Sequence, residues 1–376
     1  MIALAWKNLI HDRVRLAVTL VGIVFALVLI LVQFGLFLSF MDTSSNVVAR
    51  SGADLWITAP RIPHVNGGSP LRESYRWQAL QVKGVARVDR YNLAWVPWKL
   101  PSGAIESVSI AGFDLDHPMG GPWNIVQGNL DDLRSEDTVM VDELYKQKLG
   151  VTRIGQIVEI SNRRARVAGF TRGIHSFTTA PYVFSSFKNA QNYAGAAMSE
   201  DQSTFMLVKA ETGADVGQVK AALQRKLPNL AVFTNEEMRA KTQSYWVFQT
   251  GAGVTTLLGA LLGLIVGVVV VAQTIYAATM DHIREFGTLK AMGAANARIY
   301  EVILAQAAIS AVMGYVMAIV IAWLVSRGSQ DGNAPIALPP ELAIGALGLA
   351  LAMCAGAAVI SIRKATRIDP AMVFRG

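Results

Sequence analysis

Cysteine and charged residues are both scarce in this chain of 376 residues. Cys354 is the only cysteine, so no disulfide within the chain can support a domain, and each folded region depends on its own core. Charged residues make up 16% of the sequence and hydrophobic residues 52%, a balance that is unusual for a soluble protein. The composition therefore argues against a wholly soluble fold.

Four long segments contain no Asp, Glu, Lys or Arg, and they account for the low charge. They are residues 16–40, 242–280, 302–326 and 342–362. Each reaches the roughly 20 residues that an α-helix needs to cross the ~30 Å hydrocarbon core. The first is longer than the apolar part of a cleaved signal peptide, which has about 7–15 residues. The sequence predicts four transmembrane helices.

The chain has a net charge of +7, and much of the excess positive charge lies beside the ends of these segments. Basic residues precede the first segment, separate the second from the third and follow the fourth. They are Lys7, Arg13, Arg15, Arg284, Lys290, Arg298, Arg363, Lys364, Arg367 and Arg375. By the positive-inside rule, both termini and the loop 279–300 are cytoplasmic, and the region from about Met41 to Trp246 lies on the other side. This distribution indicates topology, and we expect no nucleic-acid partner.

Motifs for nucleotide binding and catalysis are missing. No G-x-x-x-x-G-K-[ST] occurs, so ATP and Mg²⁺ are expected on another polypeptide and no cofactor on this chain. The S-x-x-K at residues 185–188 lacks the companion S-D-N and K-T-G elements, so we interpret it as chance. His117 lies near Asp114 and Asp116, but a solvated loop is the favoured interpretation over a metal site. We therefore expect no catalytic residues, no metal and no enzyme.

The apolar segments also show how the helices pack. Gly259, Gly263 and Gly267 are four residues apart, and small residues at this spacing let helices approach closely. Such a face occurs within subunits as often as between them. The spacing therefore does not decide whether these glycines form the interface of a homodimer. The segments contain no Asp, Glu, Lys, Arg or His, which is unlike the path of an ion or a polar solute.

The region between the first two apolar segments reads as mixed α/β. Predicted strands are 53–59, 85–89, 105–113, 138–141, 157–160, 165–170, 204–210 and 230–233, and predicted helices are 73–82, 142–149 and 215–227. The two flanks are expected to form one sheet, interrupted by a β-rich lobe at about 114–202. Two interpretations apply to the tryptophans of this region, Trp77, Trp95, Trp98 and Trp123. They form an apolar surface that binds a lipid or a partner, or they pack in the core of the external domain. The segment from Trp95 to Trp123 is the candidate cargo surface.

Long helices are expected next to the membrane. The first can continue to Ser51 and Gly52, and Thr234 with Glu237 is a capping-box signature for another. A continuous helix over 235–278 would measure about 66 Å, roughly twice the hydrocarbon thickness. Two such helices would form a stalk.

These observations give a domain plan along the chain. It comprises a cytoplasmic interfacial helix (1–15), transmembrane helix 1 with stalk (16–50), an external α/β domain (51–233), stalk with transmembrane helix 2 (234–278), a cytoplasmic coupling loop (279–300), transmembrane helix 3 (301–326), a short external loop (327–341), transmembrane helix 4 (342–362) and a cytoplasmic tail (363–376). The fold class is an integral membrane α-helical protein with a large extracytoplasmic α/β domain inserted between helices 1 and 2.

The loop after the second apolar segment has a distinctive pattern. Phe286, Leu289 and Met292 recur three apart beside the dipeptide Arg284-Glu285, and Gly293 closes the run as a C-cap glycine would. This pattern resembles the cytoplasmic loop of MacB/FtsX-like ABC transporter permeases, and the tail RKATRIDPAMVFRG resembles the end of that family. The resemblance implies ATPase coupling through Arg284, Glu285, Phe286, Gly287, Leu289, Lys290 and Gly293.

Within that superfamily the external segments look most like DevC-type exporter permeases. The resemblance implies an inner-membrane homodimer that works by mechanotransmission with an ABC ATPase. It further implies a membrane-fusion protein, an outer-membrane channel and an amphipathic or glycolipid-like cargo. Two alternatives stay open: an FtsX-like signal transducer that controls cell-wall hydrolases, and a lipoprotein-release or haem-efflux permease of the same superfamily.

Overall fold

The computed structural model describes residue 6 and residues 13–178, 180–195, 199, 201–281, 295–330, 332 and 334–365. The described residues form two compact units. A helical unit contains the described residues up to Ser39, from Val254 to Gln330 and from Ala334 onward, and an α/β unit contains Phe40–Gly253 and residue 332. Most of the predicted interfacial helix, the coupling loop from 282 to 294 and the tail after 365 lie outside the described residues.

Ten α-helices and twelve strands occur in the described part of the chain. The helices are α1 (Arg13–Thr43), α2 (Asn46–Ala49), α3 (Ser74–Leu80), α4 (Lys146–Leu149), α5 (Phe187–Ala194), α6 (Val216–Lys226), α7 (Asn235–Ser244), α8 (Gly251–Asp281), α9 (Asn296–Ser329) and α10 (Pro340–Ala365). The strands are β1 (Leu55–Thr58), β2 (Leu71–Arg72), β3 (Val85–Lys99), β4 (Ile105–Phe113), β5 (Ile125–Gln127), β6 (Thr138–Asp142), β7 (Ile157–Ile160), β8 (Arg163–Thr171), β9 (Tyr182–Ser186), β10 (Gln202–Ser203), β11 (Phe205–Ala210) and β12 (Ala231–Thr234).

The helical unit contains the predicted spans. Helices α1, α8, α9 and α10 each include a stretch that is long and apolar enough to cross a membrane: Leu16–Thr43, Gly251–Ala277, Tyr300–Ser329 and Pro340–Val359. All four helices contribute to one buried cluster, in which Ile23, Val271, Ala311 and Cys354 are at most 1% exposed. The predicted four helices are confirmed.

The α/β unit is organised around one ten-stranded sheet. The strand order is β12-β1-β11-β3-β4-β9-β6-β8-β5, and β7 pairs with both β3 and β8. Helices α3 and α6 pack with β1, β11 and β12 around a core that includes Leu55, Val208 and Leu223. The flanking strands therefore meet in one sheet, as the sequence predicts.

Six strands of this sheet close a ring. The pairings run from β3 to β4, β9, β6, β8 and β7, and β7 pairs again with β3. Trp98, Val108, Val167 and Val183 are fully buried in the core that these strands share. The predicted insert thus folds together with β3 and β4, which also belong to the first part of the sheet.

Most predicted strands are present, but some elements were missed. Strand β3 runs to Lys99, ten residues beyond the predicted end at Asp89, and β5, β9 and α5 had no counterpart in the prediction. Strand β9 pairs in parallel with β4. Parallel strands are joined by long crossovers and not by short hairpin turns, so no turn signal in the sequence indicates this pairing.

The predicted long helices are shorter than expected. Helix α1 ends at Thr43 and the short α2 follows, so the helix does not continue to Ser51. The prediction of a continuous helix over 235–278 is also wrong. Helix α7 passes into a π-helix at Tyr245–Gln249, and Thr250 is extended (φ −110°, ψ 148°) before α8 begins.

Glycine explains where this interruption falls. A Cβ at residue 253 would collide with the backbone of Trp246 and Val247, so only a glycine lets the start of α8 lie this close to the π-helix. The N-terminal end of α7 is as predicted: Thr234 Oγ1 accepts from Glu237 N at 3.1 Å, and Thr234 N donates to Glu237 Oε2 at 2.8 Å.

Candidate functional site

The predicted ATPase-coupling residues lie outside the described part of the chain. Arg284, Glu285, Phe286, Gly287, Leu289, Lys290 and Gly293 all belong to residues 282–294. The described chain reaches Asp281 at the end of α8 and resumes just before α9, so the coupling role stays a prediction.

The three spaced glycines of α8 face α1 of the same chain. A Cβ at Gly259 would be 3.2 Å from Gln33 Oε1, and one at Gly263 would be 3.3 Å from Gln33 Cγ. At Gly267 it would be 2.8 Å from Ile30 Cδ1. Within one chain, this face therefore brings α8 close to α1, as small residues do between membrane helices.

Other glycines of the helical unit allow even closer contacts. A Cβ at Gly22 of α1 would be 2.7 Å from Thr274 Oγ1 of α8, and one at Gly35 would be 2.6 Å from the carbonyl oxygen of Ala337. At Gly314 of α9 it would overlap with Ile23 of α1. These positions have no signal in the sequence, because each is an isolated glycine without a spacing pattern.

An aromatic cluster surrounds the π-helix within the α/β unit. It consists of Phe40, His64, Phe177, Tyr245 and Trp246. The Phe177 ring lies 5.4 Å from Phe40 and 4.5 Å from Trp246, both edge to face, and the His64 ring lies 4.3 Å from Tyr245 and 4.8 Å from Trp246. The cluster thus joins the end of α1 and two loops to the π-helix.

Burial changes the acid–base behaviour of this cluster. His64 is 7% exposed, and burial lowers the pKa of its imidazole to about 4, so the ring is neutral near pH 7. A π-helix is rare and often marks a functional position, which makes the cluster a candidate for transmitting movement.

Helix α7 is also held against the turn after α1. The Gln243 side-chain amide donates to Met41 O and to Ser45 Oγ, both at 3.0 Å. Arg239 lies 3.2 Å from Asp42, and the Asn235 amide donates to backbone oxygens that include Val48 O at 2.9 Å. The two predicted stalk segments therefore contact each other side by side.

The four candidate tryptophans have different environments. Trp98 is fully buried and donates from Nε1 to Leu149 O at 3.1 Å, and Trp123 packs edge to face on Phe184 at 6.1 Å. Trp77 and Trp95 are more than half exposed. The candidate cargo segment from Trp95 to Trp123 thus combines core and surface.

Residues of the weaker sequence motifs make contacts within the α/β unit. Ser185 Oγ is buried and donates to Thr138 O at 2.6 Å, while Lys188 lies 3.4 Å from Glu136. Asp116 lies 2.9 Å from Arg134. In the described part of the chain, no three His, Cys, Asp or Glu residues gather as a metal site would need.

Together, four membrane helices and an α/β domain inserted after the first define a membrane protein with a large extracytoplasmic domain. Residues 16–226 match the family model of the MacB-like periplasmic core domain, and residues 257–370 match that of the FtsX-like permease C-terminal. The chain belongs to the MacB/FtsX-like ABC transporter permease superfamily.

Individual relatives are distant. An uncharacterised ABC transporter permease of Methanocaldococcus jannaschii is 20% identical, and the alignment covers 100% of this chain and 97% of the relative. The periplasmic region of MacB from Actinobacillus actinomycetemcomitans has a TM-score of 0.40 at 14% identity, covering 52% of this chain and 94% of its own. The extracellular domain of YknZ from Gram-positive bacteria has a TM-score of 0.36 at 13% identity, covering 48% of this chain and 98% of its own.

Proposed function

We propose that the chain is the permease subunit of an ATP-driven exporter of the DevC type. The observation that supports a permease subunit is that the MacB-like and FtsX-like family models match successive parts of one chain. The DevC type is proposed from the resemblance of the external segments. The sequence has no nucleotide-binding motif, so ATP and Mg²⁺ bind to a separate ATPase subunit. The permease acts as a homodimer in the inner membrane with both termini in the cytoplasm, and it works with a membrane-fusion protein and an outer-membrane channel.

The proposed mechanism is mechanotransmission. Closure of the ATPases moves the coupling loop 279–300, and α8 carries that movement along the chain to Thr250. Because the helix is interrupted there, the movement reaches the α/β domain through the π-helix and the aromatic cluster. A single rigid helix could transmit the movement directly, without the contacts of the aromatic cluster.

The cargo of the proposed exporter is amphipathic, such as a glycolipid. The four apolar segments of the sequence have no Asp, Glu, Lys, Arg or His, whereas a charged or polar solute needs partners along its path. An amphipathic lipid needs only an opening between helices and an apolar receiving surface.

Coupling is tested by changing Leu289 in the permease co-purified with its ATPase and reconstituted in vesicles. We expect Leu289→Asp to abolish cargo-stimulated ATP hydrolysis and export, because a carboxylate would replace an apolar contact with the ATPase. Lys290→Ala should have a much smaller effect, since an exposed ion pair contributes only about 0–1 kcal/mol. Normal export by the Leu289→Asp protein would refute the coupling role.

The exporter is distinguished from an FtsX-like signal transducer by what accompanies the purified complex. Export requires a co-purifying lipid that leaves the outer leaflet of the vesicle only when ATP is hydrolysed. If ATP hydrolysis instead activates a cell-wall hydrolase and moves no lipid, the signalling function replaces the exporter.

A further inference from the structure

The strand ring of the α/β unit has an outer surface of unusual composition. Along β3, Val96 and Trp98 point into the buried core, so Trp95, Pro97 and Lys99 point outward. The outward side chains include Trp95 (52% exposed), Ile105 (72%) and Ile157 (55%). Outward positions of an antiparallel sheet that faces water are normally polar.

The strand register places these residues beside one another. Lys99 of β3 is opposite Ile105 of β4 on one side and opposite Glu159 of β7 on the other. Glu159 is in turn opposite Arg164 of β8. One row of side chains therefore crosses four strands.

A second row lies next to the first. Ile157 of β7 is opposite Arg166 of β8, and each lies two residues from a member of the first row, so all of them share one side of the sheet. We call the set Trp95, Pro97, Lys99, Ile105, Ile157, Arg164 and Arg166 the basic outer face.

Positive charge on this face is largely uncompensated. Lys99 Nζ lies 2.9 Å from Glu159 Oε2, and this pair removes one charge of each sign. No carboxylate of the described residues forms an ion pair with Arg164 or Arg166, and both are exposed. Two guanidinium groups thus remain beside exposed isoleucine side chains.

We propose that the basic outer face is a docking surface for a protein partner whose contact surface is acidic with apolar residues between the acidic ones. Charge complementarity favours association and orients the partner, while Trp95 and the two isoleucines provide the apolar area of a binding hot spot. Lys99, Ile157 and Arg164 line a concavity at one end of the face, but Trp95, Ile105 and Arg166 lie outside it. The exposed basic and apolar side chains therefore extend beyond a single concave site of the kind that encloses a small ligand. The inference goes beyond the proposed function, since an exporter and a signal transducer would both need such a contact.

The test uses the full chain in nanodiscs of neutral lipid and a fluorescent peptide of alternating glutamate and leucine as the probe. We expect saturable binding that weakens as salt rises. Arg164→Glu with Arg166→Glu should weaken binding by at least about tenfold, as reversal of close charge pairs does. Arg164→Lys with Arg166→Lys should retain most of the affinity.

A matched control reverses two exposed cations outside the face, Lys83→Glu with Lys226→Glu, and should bind the peptide as the unchanged chain does. Trp95→Ala with Ile105→Ala should weaken binding without changing its salt dependence. Because all these side chains are exposed, the variants should keep the elution profile of the unchanged chain.

Three results would overturn the proposal. One is equal binding of a lysine–leucine peptide, and another is charge reversal that leaves the affinity unchanged. The third is failure of the acidic peptide to bind while phosphatidylglycerol vesicles bind in a manner that depends on Arg164 and Arg166, which would make the face a lipid-binding surface.

Discussion

At the scale of single residues, glycines of similar sequence context have different surroundings in the helical unit. Gly314 leaves no room for a Cβ because Ile23 of α1 is fully buried against it. In α10, Gly348, Ala352 and Gly356 repeat the four-residue spacing of the α8 glycines, yet a Cβ at either glycine would meet no atom within 4 Å in the described residues.

This difference predicts opposite effects for the same substitution. Gly314→Ala should destabilise the helical unit by about 1–3 kcal/mol, as overpacking of a filled core does, offset in part by the better helix propensity of alanine. Gly356→Ala, the matched control, should be neutral or stabilising by up to about 1 kcal/mol. Thermal denaturation of both variants in detergent measures the difference, and equal melting temperatures would contradict the close contact.

His64 predicts a dependence of stability on pH. Its pKa is about 4 in the folded chain, below the ordinary value of 6.5, so the unfolded chain binds more protons in that interval. Above about pH 6.5, His64 is neutral in both the folded and the unfolded chain, and its protonation does not reduce stability. As the pH is lowered from 6.5 toward 4, the unfolded chain gains the proton first, so the free energy of unfolding should fall.

The measurement is urea denaturation of the full chain in detergent at several pH values between 4 and 7. His64→Phe, which keeps an aromatic ring without the titrating group, should flatten the pH dependence in this interval, and His117→Gln at an exposed position is the control. An unchanged slope in the His64→Phe protein would show that another group is responsible.

At the scale of elements, the connection from α7 to α8 differs most from its sequence pattern. No proline interrupts residues 235–278, so local rules favour one long helix. The structure instead places a π-helix and an extended Thr250 between them, where Trp246 lies beside Phe177 and His64.

Phe177 should be required to hold the π-helix in place. Phe177→Ala removes ring contacts with Phe40 and Trp246, and each aromatic pair contributes about 0.5–1.5 kcal/mol beyond its buried area. We expect faster amide hydrogen exchange over Tyr245–Gln249. Phe248→Ala, on the same π-helix but 69% exposed, is the control and should leave exchange nearly unchanged. Equal exchange in both variants would exclude a stabilising role for Phe177.

At the scale of the whole molecule, an apolar membrane region is combined with a large α/β domain. This combination predicts that cargo enters from the outer leaflet or the external side and does not thread through a polar channel. Photocrosslinkers at exposed positions of the α/β domain and within α1 and α8 would record the route. Cargo crosslinks concentrated midway along the helices, with none in the α/β domain, would refute this prediction.

The sequence by itself determined the four membrane helices, the insertion of an α/β domain after the first and the superfamily. Hydrophobic length, turn residues and the capping box at Thr234 act over a few neighbouring residues, and their effect is readable along the chain. The coupling residues from Arg284 to Gly293 remain a prediction from the sequence alone.

Only the tertiary structure decided which glycines are confined, where the long helix is interrupted and how the strand ring closes. Gly314 depends on Ile23, the π-helix depends on Phe177 and His64, and the basic outer face depends on β7 pairing with both β3 and β8. These partners are far apart in the sequence. Their contacts follow from which surfaces pack together in the folded chain, and a local pattern of hydrophobicity carries no record of that choice.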